Sequence, residues 1–158
     1  MIIREDDLRG PEIKALLEAH LDLMRSNSPP ESVHALDLDG LRRPEITFWT
    51  VWDGGQLLGC GALKELDPGH GEIKSMHTAR AARGRGVARR MVEHILAAAR
   101  RRGYRRLSLE TGATEDFAPA RALYSAFGFT HCGPFADYPL HPFSAFMTLE
   151  LDAESSSV

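Results

Sequence analysis

Ser75-Met76-His77-Thr78-Ala79-Arg80-Ala81-Ala82-Arg83-Gly84-Arg85-Gly86-Val87-Ala88-Arg89-Arg90 reads as a strand end, a glycine-bearing basic turn and a helix start. Gly84 and Gly86 alternate with arginines, so backbone N–H groups can approach an anion with no Cβ in the way. The helix opening at Val87 adds its own unpaired N–H groups and the positive end of its dipole. Together these features read as a phosphate cradle, with an arginine-rich surface turn as the plainer alternative. A Walker loop would need Gly-Lys-Ser/Thr here, and a dinucleotide fingerprint would need three spaced glycines and an acid about 20 residues on.

Upstream of the turn, Glu72 to Thr78 is expected as a strand that closes an antiparallel meander. Glu45 to Trp52 alternates, Asp53-Gly54-Gly55 supplies turn chemistry, and Leu57 to Leu66 returns; Asp67 to Gly71 is expected as the next turn. Before these come a short strand at Met1 to Arg4 and a helix after Gly10-Pro11, with Ile13, Leu16, Leu17, His20, Leu21 and Met24 on one stripe. A second, weaker helical pattern covers Glu31 to Leu41.

Downstream, Val87, Met91, Ile95, Leu96 and Ala99 recur at helical spacing up to Gly103, which sits where a left-handed cap would. Arg105 to Thr111 alternates as a strand, Ala118 to Phe127 is helical with Gly128 as its cap, and Phe129 to Cys132 and Ser144 to Leu151 are the last strands. Hairpins followed by strand, helix, strand, helix and two strands predict an α+β fold with one central mixed, mostly antiparallel sheet and about four flanking helices. The expectation is one domain over 1–152, with 153–158 as a disordered tail.

A chain of 158 residues, 43% hydrophobic, supports one substantial core and is too short for two typical domains. The net charge of -3 argues against whole-surface nucleic-acid binding. Ten arginines between Arg80 and Arg106 make a local positive region, yet no aromatic stacking platform interleaves with them. Cys60 and Cys132 alone suit reduced thiols, and no apolar run approaches the ~20 residues of a membrane span, so the expected location is cytoplasmic, with no membrane partner. His20, His34, His70, His77, His131 and His141 show no ligand spacing, and no metal is expected.

Three ordered segments carry a resemblance: Arg83-x-x-Gly86-x-Ala88, the strand Leu109-Glu110-Thr111, and Ala120-Arg121-Ala122-Leu123-Tyr124-Ser125-Ala126-Phe127-Gly128-Phe129. They resemble the motifs of the GCN5-related N-acetyltransferases, the GNAT superfamily. Ser28 to Leu36, Cys60 to Leu66 and Gly133 to Tyr138 further resemble a bacterial branch whose members are sometimes labelled indole-3-acetic acid acetyltransferases. The resemblance implies an acetyl-CoA-dependent N-acetyltransferase acting on the amine of a small molecule or amino acid by direct transfer in a ternary complex. A non-catalytic acyl-CoA sensor is the alternative, and a homodimer is compatible with either.

By the same resemblance, the backbone of Met76, His77 and Thr78 pairs with the pantetheine arm, and Arg83, Gly84, Arg85, Gly86, Val87, Ala88 and Arg89 hold the pyrophosphate. Pantetheine carries two amides that can replace ladder partners at a splayed strand. Tyr124 falls where the family often has its general acid, facing the CoA sulfur. Phe117 occupies the place of a frequent Asn, and Ala88 that of the commoner Gly.

An alkyl amine with a pKa of about 10 is mostly protonated at neutral pH, so a base is required. Glu72 resembles in placement the strand glutamate that histone-type members use as base. Its other reading is a strand carboxylate paired with Lys74 or Lys64. His34, Phe135 and Tyr138, with Asp137, are the candidates for the acceptor pocket; capping or loop packing is their plainer role.

Overall fold

The computed structural model describes residues 1–27 and 38–151. Its strands are β1 (Ile2–Glu5), β2 (Ile46–Asp53), β3 (Gln56–Asp67), β4 (His70–Thr78), β5 (Arg106–Gly112), β6 (Thr130–Cys132) and β7 (Ser144–Glu150). They form one sheet in the order β1-β2-β3-β4-β5-β7-β6. Every neighbouring pair is antiparallel except β4 and β5. The helices are α1 (Pro11–Asn27), α2 (Leu38–Leu41), α3 (Val87–Arg101) and α4 (Ala118–Ala126), and the α+β expectation with a mixed, mostly antiparallel sheet holds. Among the described residues no helix is long and apolar enough to cross a membrane.

Strand alternation sends side chains to two different layers. Ile73, Leu107 and Leu109 join Val87, Met91, Val92 and Ile95 of α3 in one core, where each fully buried aliphatic side chain contributes on the order of 1.5–3 kcal/mol. The exposed positions of α3 are Arg89, Arg90, Glu93, Ala97, Arg100 and Arg101, opposite the apolar stripe. Phe48, Leu57, Cys60 and Ala62 form a second core with Ile13 and Leu16 of α1 on the other face. Glu72 of β4 and Ser108 of β5 are buried polar residues on neighbouring strands.

Two boundaries differ from expectation. The β3–β4 turn contracts to Pro68-Gly69, because Asp67 pairs with His70 and its Oδ1 accepts the Gly69 N–H at 2.8 Å. Of the helix expected over Glu31 to Leu41, the described part is the single turn Leu38–Leu41. The rest, the candidate His34 within it, and the expected tail at 153–158 lie outside the described residues.

β4 and β5 pair from His70↔Arg106 to Ile73↔Leu109 and no further. Beyond that point β4 stays bonded to β3 as far as Thr78, and β5 to β7 as far as Gly112. The facing edges of Lys74–Thr78 and Glu110–Gly112 are thus unpaired. A bulge helps to part them: between Ala62↔Lys74 and Cys60↔His77, Ser75 and Met76 stand against the single residue Gly61. Ser75 takes a left-handed φ of 55°, and its carbonyl accepts the Cys60 thiol at 3.2 Å. Burial pushes that thiol up to about 12, so Cys60 is a packing residue rather than a nucleophile.

Candidate active site

The splay opens a cleft of about 500 Å³ that passes between the two layers. At one end stands the basic turn, and its backbone is shaped as the sequence predicts. Gly84 (φ 81°) and Gly86 (φ 78°) are both left-handed, and Gly86 is the N-cap of α3 with no side chain capping it. The N–H groups at Val87, Ala88 and Arg89 therefore have no intrahelical acceptor and face outward with the helix dipole behind them.

The arginines of the turn have different surroundings. The Arg85 guanidinium bonds Asp53 Oδ2 at 2.7 Å, tying the turn to the β2–β3 hairpin. Arg89 packs its guanidinium 5.2 Å from the Phe127 ring centroid, bracing α3 against the end of α4. Arg83 is exposed and lines the cleft. Met76, His77, Thr78 and Ala88 line it as well.

On the opposite wall α4 delivers Tyr124, 5% exposed, edge-on to Phe129 with ring centroids 5.7 Å apart. Burial drives its phenol far above the ordinary value of 10. A thiolate with a pKa near 8.5 cannot pull that proton off completely, so Tyr124 is suited to donating a hydrogen bond to a departing sulfur.

The Phe117 position has a structural cause. A Cβ on Gly112 would lie 2.0 Å from Phe117 Cδ2, so the ring rests directly on the strand backbone, while Arg121 Nη1 donates to Gly112 O (2.6 Å) and Thr114 O (2.8 Å). Gly112→Ala is expected to destabilise the fold by about 1–3 kcal/mol, and less in a Phe117→Ala background, as read from urea midpoints.

At the other end of the cleft, Glu72 is 2% exposed and already engaged. Its Oε2 accepts from Lys74 Nζ at 3.0 Å and from the Tyr138 hydroxyl at 2.5 Å, while Lys74 also donates to Tyr138 at 2.7 Å. Of the two lysines weighed for Glu72, Lys74 makes the ion pair, although Lys64 is the residue directly opposite in register. Tyr138 lines the cleft, but Phe135 does not; it packs behind Tyr138, with ring contacts to His70 and Phe146, which corrects its assignment to the pocket. Asp137 is likewise absent from the cleft wall.

Two groups have an arrangement that the sequence reading did not assign to them. Glu110 lies on β5 at the first position past the splay and lines the cleft. Burial is the main cause raising its pKa to about 7; nearby Ser144 and Lys74 pull it down, and Glu72 adds to the rise. The second is a histidine pair: His20 of α1 and His77 of β4 bring Nδ1 atoms to 3.2 Å, and both line the cleft. Burial lowers each to about 4, reinforced by His77 for His20 and by Arg83 for His77, so both are neutral at pH 7.

The model of the Acetyltransferase (GNAT) family matches residues 13–129, and the chain belongs to that family. It is an acetyltransferase by family membership. The N-acetyltransferase YsnE of Bacillus subtilis (strain 168) is 56% identical over 151 residues, covering 96% of this chain and 100% of that protein. A protein named IAA acetyltransferase from Azospirillum brasilense is 42% identical over 147 residues, covering 92% and 94%. A crystal structure of a proposed acyl-CoA N-acyltransferase from Klebsiella pneumoniae superposes with a TM-score of 0.76 at 27% identity, covering 96% of this chain and 97% of that one.

Proposed function

We propose that the protein moves the acetyl group of acetyl-CoA directly to the amine of a small acceptor, both bound at once. The observation that carries this is the parting of β4 and β5 after Ile73 and Leu109, which opens one continuous cleft past a phosphate-type turn, an unpaired strand edge, a buried tyrosine and a carboxylate. The open edge of Met76 to Thr78 suits the two amides of pantetheine, and the N–H groups from Gly84 to Arg89 suit its pyrophosphate. Cofactor and acceptor then meet where the sheet is open on both faces, and no covalent enzyme intermediate is needed.

Glu72 is replaced as the candidate base. Its Oε2 is already occupied by the Lys74 ammonium and the Tyr138 hydroxyl, which leaves it engaged with the protein rather than with an acceptor. Glu110, with its pKa near 7, is ionised in a large fraction of molecules at neutral pH yet basic enough to take a proton from the acceptor ammonium. Attack of the freed amine on the thioester carbon forms the C–N bond. Collapse of the tetrahedral adduct breaks the C–S bond and leaves a thiolate, to which Tyr124 donates a hydrogen bond; the proton that the attacking nitrogen still has to lose passes to this sulfur, giving the neutral amide and free CoA thiol. A backbone N–H at the β4 bulge, near Met76 or His77, polarises the carbonyl.

Thiol release from acetyl-CoA with a panel of polyamines, amino acids and aminoglycosides tests the reading. Turnover with at least one amine, and an acetylated amine detected by mass, is the expected result; cofactor binding with no turnover on any acceptor would instead indicate a sensor. Tyr124→Phe is expected to lower kcat by about ten- to a thousandfold with acetyl-CoA affinity nearly intact. Unchanged turnover would remove Tyr124 from the chemistry.

A further inference from the structure

The acceptor end of the cleft has little positive charge left to offer. Among the described residues lining the cleft, the lysine and arginine side chains are Lys74 and Arg83. Lys74 is 9% exposed and committed to Glu72 and Tyr138. Arg83 enters from the phosphate turn, at the donor end, where a bound pyrophosphate would be its counter-ion. His20 and His77 contribute no charge at neutral pH, since burial keeps both unprotonated. Glu110 makes no ion pair among the described residues, and it stands just beyond the Glu72–Lys74 pair.

We propose that the acceptor is a cationic amine with no carboxylate next to its nitrogen, an amine of the decarboxylated kind rather than an α-amino acid. This rests on the acetyl-transfer reading above. An ammonium would give Glu110 the direct ion pair it does not make among the described residues, and it brings the donors a carboxylate can accept. A carboxylate one carbon away from that nitrogen would be held within a few ångströms of Glu110 in a partly dry cleft, where like charges repel strongly. Among the described residues lining the cleft, the buried cation Lys74 is already paired with Glu72.

Matched pairs differing only in the carboxylate provide the test: tryptamine against tryptophan, phenethylamine against phenylalanine, and histamine against histidine, each compared by kcat/KM with acetyl-CoA. The decarboxylated member is expected to win by about tenfold or more in each pair it enters productively. Glu72→Gln leaves the Lys74 ammonium without its carboxylate, and is expected to narrow that ratio severalfold whatever it does to the absolute rate. Equal or better use of the amino acids by the wild-type protein overturns the inference and leaves acetyl transfer standing. Acetyl-CoA binding without acetylation of any amine overturns the transfer reading, and this inference with it. Should Glu72→Gln not fold, the wild-type ratios decide alone.

Discussion

Glu110→Gln is expected to lower kcat by about 10²- to 10⁴-fold while acetyl-CoA affinity changes by no more than a few-fold, because the substitution keeps the shape of the side chain and removes its basicity. The effect should be large because the cleft groups nearest Glu110 among the described residues are poor substitutes. Glu72 is fixed by Lys74 and Tyr138, and His20 and His77 are too weakly basic, near 4, to accept a proton from an alkyl ammonium. Isothermal titration with acetyl-CoA separates lost chemistry from lost binding. A variant with wild-type kcat would show that the amine arrives already deprotonated. The same substitution has a signature in stability. The native state holds the Glu110 proton up to about 7, against 4.5 for the ordinary group, so it binds more protons than the unfolded state between those values. Stability therefore falls as pH rises through that window, and the penalty is fully present above it. Glu110→Gln should raise Tm above pH 7 and have little effect below the window.

Gly86→Val is expected to abolish measurable acetyl-CoA binding, a loss of at least about a hundredfold in Kd. Gly86 sits at φ 78°, ψ 17°, as the N-cap of α3, where a β-branched residue is strained. No heavy atom lies within 4 Å of where its Cβ would be, so packing within the protein does not forbid the side chain. The harm is twofold: the turn leaves the left-handed region that aims its N–H groups, and the new methyls occupy the space an anion needs. Circular dichroism should show a folded protein, since the turn is exposed. Wild-type affinity in such a folded variant would remove the pyrophosphate from this turn.

Local features were the most legible in the sequence. The two glycines, the helix start at Val87 and the apolar stripe of α3 depend on nearest neighbours, so the cradle could be drawn before any tertiary structure was known. Tyr124 was legible for a similar reason, as its motif lies on one short helix with a glycine cap. The acceptor side depends on contacts far apart in sequence. Tyr138 reaches Glu72 across 66 positions and Lys74 across 64, and no periodicity predicts that meeting. Glu72 kept two readings because alternation placed it on a face without saying what covered that face.

Glu110 was visible as the middle residue of the motif strand Leu109-Glu110-Thr111 and as a member of the alternating set Arg106, Ser108, Glu110, but neither reading gave it a role of its own. The structure places β5 in the interior of the sheet, with β4 on one side and β7 on the other, so a carboxylate there is costly to keep charged. A carboxylate following Leu107 and Leu109 on the same strand was the available signal. His20 was read as part of an apolar helix stripe, which it is; its partner His77 lies 57 residues away.

The pH dependence of kcat/KM for the amine acceptor tests most directly whether acetyl transfer runs through Glu110. For the wild-type protein the profile should rise with a midpoint near 7, stay level over the next units, and fall only as the free amine deprotonates at about 10. In Glu110→Gln the limb near 7 should vanish. A wild-type profile that climbs with unit slope up to about 10 with no break near 7, or a limb at 7 that survives Glu110→Gln, would contradict the assignment.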